Sequence, residues 1–193
     1  PMFVAVEEAT LAHAGALAGD ELGSAVALTA DGSRAIVGAM LDDTPGGSWA
    51  GSARVFVRSG TTWTEEATLL ASGGAATDFF GSSVAIAGDG SRAIVGAPSD
   101  DVGAVADAGS ARVFRRSGST WTEEATLTAQ TIASGDGFGD SVALTADGAR
   151  AIVGAPGDTT AAGAAAGSAR VFLRTLMTWA GEATLLAGGA AAA

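Results

Sequence analysis

The chain has 193 residues, of which 48% are hydrophobic, 29 are glycine and only 4 are proline, a mixture typical of short strands joined by tight turns. Its 10 basic residues, all arginine, stand against 21 acidic ones, and the net charge of −11 disfavours nucleic acid and anionic lipid as partners. Without cysteine the sequence says nothing about redox compartment, and no apolar run reaches the roughly 18 residues of a membrane-spanning helix.

The first predicted element is an outer strand within residues 1–12. Its residues Glu7–Leu11 repeat a word that closes each later unit of the chain. The same segment lacks the basic and long apolar regions of a signal peptide.

The chain is a tandem repeat with a period of 58 residues and without insertions or deletions. The predicted repeats cover residues 5–62, 63–120 and 121–178 of a single domain, and residues 179–193 add an extra outer strand and a tail. Four recurrent words keep the period: Leu22-Gly23, Phe80-Gly81 and Phe138-Gly139; Val37–Ala39, Val95–Ala97 and Val153–Ala155; Gly51–Phe56, Gly109–Phe114 and Gly167–Phe172; and Trp63, Trp121 and Trp179.

Within one repeat the apolar residues alternate with the two-residue period of strands. An Asp-Gly pair between two such runs predicts a hairpin, because the turn needs a positive φ that glycine adopts freely. Four antiparallel strands of this length cannot bury both faces alone, so the repeats must stack on one another. In the third repeat the predicted strands are 138–145, 150–154, 168–174 and 179–186, and the hairpin pairs of the three repeats are Asp31-Gly32, Asp89-Gly90 and Asp147-Gly148.

These words resemble a known family. Asp-Gly-Phe-Gly, Val-Gly-Ala-Pro and Gly-Ser-Ala-Arg-Val-Phe, followed by Trp-Thr-Glu-Glu-Ala-Thr-Leu, are similar to the FG-GAP repeat of integrin α-subunit propellers and of many bacterial surface proteins. The resemblance covers nearly the whole chain. It implies an all-β fold of β-propeller blades, three four-stranded antiparallel repeats with the Phe-Gly strand nearest the axis and the Trp strand outermost, and an extracellular or cell-surface location.

Three blades are too few for a ring, because closed propellers usually contain four to eight. The sequence also supplies four outer strands for three inner sets. We expect another chain, as in a six-bladed homodimer, or missing repeats to complete the ring; an open array is the remaining alternative. Blade faces left uncovered would form apolar patches larger than most soluble monomers expose.

Two tryptophan environments are predicted. Trp63, Trp121 and Trp179 are expected to lock the outer strands into the interfaces between blades. Trp49 is an extra aromatic residue in the long loop of the first repeat. We interpret it as an anchor of that loop, with stacking on a ligand, as in sugar-binding proteins, as the alternative.

A calcium site is the first chemical hypothesis, because the resemblance implies Ca²⁺ in the hairpin between the first two strands. That site needs six or more oxygen ligands. Here each hairpin keeps one carboxylate, so Asp31, Asp89 and Asp147 are predicted to form turns. The remaining candidates for a weak Ca²⁺ site follow the Val-Gly-Ala words, and a further acidic set precedes the Phe-Gly words; the alternative for both is solvated loop acids. The candidates are Asp42, Asp43, Asp100, Asp101 and Asp158, and the further set is Asp20, Asp78 and Asp136.

Arginines alternate with apolar residues on the third strands and glutamates occur in pairs on the fourth. Arg54 and Arg58, for example, are predicted to pair across strands with Glu65 and Glu66, which sets the register of the strands. The same arginines are less suited to an anion site, because acidic residues accompany them in every repeat.

Catalysis has little support. His13 is the single histidine and is predicted to lie at the surface. Cysteine, lysine and tyrosine are missing, so a nucleophile would have to be serine or a carboxylate. The sequence favours a non-enzymatic propeller module for extracellular or cell-surface binding, adhesion or scaffolding that self-assembles as a homodimer or binds other surface proteins. A glycan-binding propeller is the alternative, and a carboxylate hydrolase is a third hypothesis.

Overall fold

The computed structural model describes residues 6–13 and 15–186. Over these ranges the chain forms twelve strands and no helix. The strands are β1 (Leu22–Leu28), β2 (Arg34–Ala39), β3 (Ser52–Ser59), β4 (Thr62–Leu69), β5 (Ser83–Ile86), β6 (Arg92–Ala97), β7 (Ser110–Ser117), β8 (Thr120–Leu127), β9 (Ser141–Leu144), β10 (Arg150–Ala155), β11 (Ser168–Thr175) and β12 (Thr178–Leu186).

The strands form three four-stranded sheets in the order β1-β2-β3-β4, β5-β6-β7-β8 and β9-β10-β11-β12, which we call blades 1, 2 and 3. All neighbours within a blade are antiparallel. The three antiparallel blades predicted from the sequence are therefore confirmed. The tryptophan strand is outermost in each blade and pairs with the third strand of that blade, although it opens the next sequence repeat.

Two strand predictions need correction. Residues 6–13 form no strand, because the described chain offers no inner strand beside them for pairing. The predicted strand 138–145 is reduced to β9, because Gly139 adopts φ +102° before it and the Asp147 turn begins directly after Leu144.

The core lies between blades and is built around the phenylalanine of each Phe-Gly word. Phe80 and Phe138 are fully buried. Phe80 packs edge-on against Phe114 with ring centroids 6.1 Å apart, and Phe138 packs in the same way against Phe172 at 6.0 Å. Each junction thus places the Phe-Gly phenylalanine against the third strand of its own blade, within a core shared with the preceding blade.

The glycine of the Val-Gly-Ala word allows the next blade to approach closely. A Cβ added at Gly38 would lie 1.9 Å from the carbonyl oxygen of Gly81, and one added at Gly96 would lie 1.9 Å from that of Gly139. Only a residue without a side chain fits there. The Val-Gly-Ala word of one blade and the Phe-Gly word of the next therefore meet at the blade junction.

The described blades do not close a ring. β5 packs against both β1 and β9, so blade 2 lies between the other two. Ile36 and Ile94 are fully buried by the blade that follows each, whereas Ile152 in blade 3 is 36% exposed. Blades 1 and 3 therefore each present one uncovered face.

No helix among the described residues is long and apolar enough to cross a membrane.

Candidate functional site

The first acid of each candidate metal pair is buried against an arginine. The Asp42 carboxylate accepts hydrogen bonds from Ser52 Oγ at 2.6 Å and from Arg54 Nη2 at 2.8 Å. The same arrangement recurs in the other blades, so each carboxylate joins the loop after the second strand to the third strand. The equivalent sets are Asp100 with Ser110 and Arg112, and Asp158 with Ser168 and Arg170.

The second acid caps the loop backbone. Asp43 Oδ1 accepts the N–H of Trp49, and Asp101 Oδ1 accepts the N–H of Asp107, both at 3.0 Å. These residues keep the long loop folded on itself. The third repeat has Thr159 at this position.

This donor set does not fit a calcium ion. Ca²⁺ needs six to eight oxygen ligands, and a guanidinium 2.8 Å from the Asp42 carboxylate repels a cation. Among residues 6–13 and 15–186, no group of three or more histidine or acidic side chains is placed to hold a metal. Calcium binding at the five candidate aspartates stays a prediction, and its test accompanies the mass measurement described below.

The remaining aspartates shape turns. Asp78 Oδ2 accepts the N–H of Ala75 at 2.7 Å, and burial raises the pKa of Asp78. Asp31 accepts the N–H of Ser33, and this hydrogen bond lowers the pKa of Asp31 to about 2. The turn-forming role predicted for the hairpin aspartates is confirmed, since Asp89 and Asp147 repeat the contact of Asp31; Asp20 and Asp136 repeat that of Asp78.

A ladder of arginine, glutamate and tryptophan links the outer strands. Arg34 donates two hydrogen bonds to Glu66, from Nε at 3.0 Å and from Nη2 at 2.9 Å, and Trp121 Nε1 of the next blade donates to the same carboxylate at 3.0 Å. The hydrogen bonds from Arg34 lower the pKa of Glu66. Of the predicted pairs, Arg54–Glu65 forms, whereas Glu66 pairs with Arg34 and Arg58 pairs with Glu8. The Arg34–Glu66 pair also joins neighbouring blades through Trp121.

The N-terminal segment enters the same ladder. Glu8 precedes Glu66 by one repeat and accepts two hydrogen bonds from Arg58, at 2.6 and 2.8 Å. Leu11 packs against the buried cluster of Ala35, Val37 and Phe56 in blade 1. Residues 6–13 therefore lie where the outer strand of a preceding blade would lie.

Two other predictions concern single residues. The surface location predicted for His13 is wrong: its side chain is buried, with Nε2 3.8 Å from Asp20 Oδ2. Trp49 stacks on Phe79 with ring centroids 6.4 Å apart and an interplanar angle of 22°, which fits the anchor interpretation.

The largest departure from repeat symmetry is at the two uncovered faces. We define the open face of blade 3 by Ala143, Ile152, Val171 and Leu185, and the open face of blade 1 by Val26, Leu28 and Trp63. Leu69 and Leu127 are 2% and 3% exposed, whereas the equivalent Leu185 is 50% exposed.

The opposite end behaves in the same way. Val84 and Ile86 are 9% and 7% exposed, whereas the equivalent Val26 and Leu28 are 70% and 60% exposed. A hollow of about 290 Å³ beside Ile152 and one of about 400 Å³ beside Trp63 mark the two faces. Equivalent residues of the repeat therefore have different surroundings at the two ends of the array.

Stacked four-stranded antiparallel sheets with the Phe-Gly strand inside and the tryptophan strand outside define a propeller-type repeat protein. The FG-GAP repeat matches three stretches of the sequence, residues 5–56, 63–114 and 121–172. The chain belongs to the FG-GAP repeat family.

Two solved structures share the fold. Hydrazine synthase of Kuenenia stuttgartiensis is 14% identical with a TM-score of 0.53, and the match covers 91% of this chain and 39% of that one. Sqt1 of Saccharomyces cerevisiae is 9% identical with a TM-score of 0.54, covering 89% of this chain and 37% of that one. The chain thus spans less than two fifths of either structure, and likeness at these identities shows the fold alone. No curated protein matches the sequence.

Proposed function

We propose that this chain is a non-enzymatic propeller module for binding and scaffolding outside the cell or at its surface, and that it assembles by docking its two open faces onto those of a second copy. Two chains then form a six-bladed ring with two identical junctions between blade 3 of one copy and blade 1 of the other. Six blades lie within the range that closes a propeller.

The observation that carries the proposal is the unequal burial of equivalent apolar side chains. Ile94 is fully buried among Phe138, Ala151 and Val153 of the next blade. Ile152 is the equivalent residue of blade 3, but no following blade covers it among the described residues. The open face of blade 1 offers the required counterpart, because Leu22 and Val37 stand where Phe138 and Val153 receive Ile94.

Charge complements this fit. At the junction of blades 2 and 3, Glu124 Oε1 of blade 2 accepts a hydrogen bond from Arg174 Nη2 of blade 3 at 2.8 Å, whereas the equivalent Arg116 at the other junction donates to the backbone oxygen of Gly90. Glu182 is the equivalent residue on blade 3, and Arg58 is the equivalent arginine on blade 1. Docking of a second copy brings these two together once Arg58 exchanges Glu8 for Glu182, which can keep Arg150 as Glu124 keeps Arg92.

The test is the solution mass by light scattering over a range of protein concentrations. We expect the mass of two chains for the wild type and of one chain for Ile152→Asp, because a charge at the centre of the docked face is left without a partner. Met177→Asp is the matched control: Met177 is 74% exposed in the β11–β12 hairpin, outside both open faces, and this variant should stay dimeric.

Two results would contradict the proposal: a monomeric wild type at all concentrations, or equal effects of the two variants. Calorimetric titration of chelator-stripped protein with Ca²⁺, run beside the mass measurement, tests the metal prediction; we expect no heat and no rise in Tm, because the candidate aspartates already bind arginine and backbone N–H groups.

The non-enzymatic part of the proposal is supported by the roles of the acidic residues. The repeated aspartates accept hydrogen bonds from arginine, serine or backbone donors that hold loops in place. Glycan binding remains the alternative, and the stacking of Trp49 on Phe79 gives it a single aromatic surface that blades 2 and 3 do not repeat.

A further inference from the structure

Two neighbouring positions of the outer strand, Ala180 and Gly181, break the repeat where the other two units agree, and at Gly181 the change removes a charge. Glu65 in β4 and Glu123 in β8 each lie opposite the buried phenylalanine of the neighbouring third strand, and Gly181 takes this position in β12. A Cβ added at Gly181 would meet no atom within 4 Å. The third unit therefore lacks one carboxylate side chain and keeps the space for it.

The function of the missing carboxylate is visible at the junction of blades 1 and 2. Glu123 accepts hydrogen bonds from the backbone N–H of Ser72 at 2.9 Å, from Ser72 Oγ at 3.0 Å and from Thr126 Oγ1 at 3.2 Å. Arg112 Nη1 lies 3.4 Å from the same group. One carboxylate thus joins the loop of the preceding blade to the outer strand.

The junction of blades 2 and 3 keeps the arginine and the threonine beside that carboxylate, has Gln130 in place of Ser72, and lacks the carboxylate itself. Arg170, Thr184 and Gln130 stand one repeat after Arg112, Thr126 and Ser72. They line a cavity of about 240 Å³ together with Gly181 and Phe172. Arg170 Nη1 contacts Thr184 Oγ1 at 3.4 Å, a longer contact than the 2.8 Å between Arg112 and Thr126.

The charge at this junction leaves room for an anion. Among the described residues, Arg170 pairs with one carboxylate, that of Asp158 at 3.1 Å. Glu182 also lines the cavity, but two hydrogen bonds from Arg150 engage it. The arginines of the first two blades each pair with two carboxylates, Arg54 with Asp42 and Glu65, and Arg112 with Asp100 and Glu123. A second carboxylate beside Arg170 would restore the ratio found there.

We propose that this cavity binds a small carboxylic acid, whose carboxylate takes the place of the missing glutamate side chain. The carboxylate accepts hydrogen bonds from Arg170 and Thr184, Gln130 forms the wall supplied by blade 2, and the aliphatic part of the ligand lies over Phe172. A hydrogen bond between a guanidinium and a carboxylate is among the stronger ones in proteins. The site lies between blades 2 and 3 and does not depend on self-association.

The probe follows from the chemistry, because glutamate differs from glycine by the atoms of propionate. Sodium propionate is titrated into ¹⁵N-labelled protein against sodium chloride at equal ionic strength, and the amide resonances of Gly181 and Thr184 are followed. We expect saturable shifts with propionate and none with propionamide, the uncharged isostere. Gly181→Glu fills the cavity with the residue natural to the other blades, so its affinity for propionate should fall by at least about tenfold.

The chain offers a mirror variant as the matched control. Glu123→Gly creates the same vacancy beside Arg112, so it should bind a second propionate and show new shifts at Thr126. Shifts that do not saturate, equal effects of propionate and propionamide, or undiminished binding by Gly181→Glu would each overturn the proposal. The propionamide and Gly181→Glu results suffice for this decision if Glu123→Gly does not fold.

Discussion

At the level of single residues, Glu66 is where pH should act on the junction of blades 1 and 2. Hydrogen bonds from Arg34 hold the pKa of Glu66 below its usual value of 4.5. A carboxyl group with a lowered folded-state pKa stabilises the fold above its unfolded-state pKa, and this stabilisation is lost as the pH falls through the folded-state value. Between about pH 6 and about pH 3 we therefore expect the Tm of the wild type to fall more than that of Glu66→Gln.

Glu182→Gln is the control for this measurement. Glu182 also pairs with Arg150 across the sheet, at 2.9 Å, but at a protein concentration too low for association both side chains stay exposed to solvent at the uncovered end of the array. Because exposed ion pairs contribute little to stability, its removal should change the pH dependence less. If Tm fell equally with pH in the two variants, the contact with blade 2 would add nothing to the stabilisation by the Arg34–Glu66 pair.

Residue types and spacing predicted part of this chemistry. The alternation of arginine and glutamate indicated ion pairs, and the Asp-Gly pairs indicated turns. The partner of a given side chain was harder to predict, because residues one repeat apart are identical in sequence and differ only in which blade lies beside them. His13 illustrates this: its burial comes from packing near Asp20 and not from any word of the repeat.

At the level of strands, the Val-Gly-Ala word offers a test of the blade junction. In Gly96→Ala the new Cβ would lie 1.9 Å from the backbone oxygen of Gly139, which the next blade holds in place. Overpacking of this kind costs about 3 kcal/mol, so we expect the free energy of unfolding to fall by about that amount. Chemical denaturation at a protein concentration too low for association measures it.

Gly154→Ala is the matched variant in blade 3. Its Cβ would approach the side-chain oxygen of Ser141 at 2.3 Å, as the Cβ of Gly96→Ala approaches Ser83, but no backbone of a following blade lies within 4 Å. A serine side chain can rotate, so the loss should stay below about 1 kcal/mol. Similar losses in both variants would show that the strain arises within a blade and not between blades.

The words of the repeat predicted that strands exist more reliably than where they end. Twelve strands follow from the two-residue period and the turns, which the sequence displays directly. The shortening of β9, the first strand of blade 3, depends on the positive φ of Gly139 and on the hydrogen bond from its N–H to Gly154 O at 3.0 Å. No local sequence pattern encodes either feature.

At the level of the whole molecule, the number of blades was predictable and the coverage of their faces was not. Three copies of the repeat give three blades, because each copy contains its own set of strands. Whether an apolar face is covered depends on what lies beyond it. Ile152 and Ile94 stand in the same sequence, Arg-Ala-Ile-Val-Gly-Ala, yet Ile152 is 36% exposed and Ile94 is fully buried. The cavity at Gly181 was not predictable from the sequence, because glycine weakens a strand whether or not a cavity forms beside it.

We expect the N-terminal segment, which the structure describes from residue 6, to compete with the assembly that we propose. Glu8 and Leu11 occupy the part of the open face of blade 1 that the outer strand of a neighbouring blade occupies at the internal junctions. A second copy brings its own β12 to the same place, so this segment must move before the copies dock. Deleting residues 1–12 should therefore strengthen dimerisation, measured as a lower dimer dissociation constant in sedimentation equilibrium. The double substitution Glu8→Ala and Leu11→Ala, which releases the segment without shortening the chain, should act in the same direction, whereas weaker dimerisation of both variants would mean that the segment belongs to the docked interface itself.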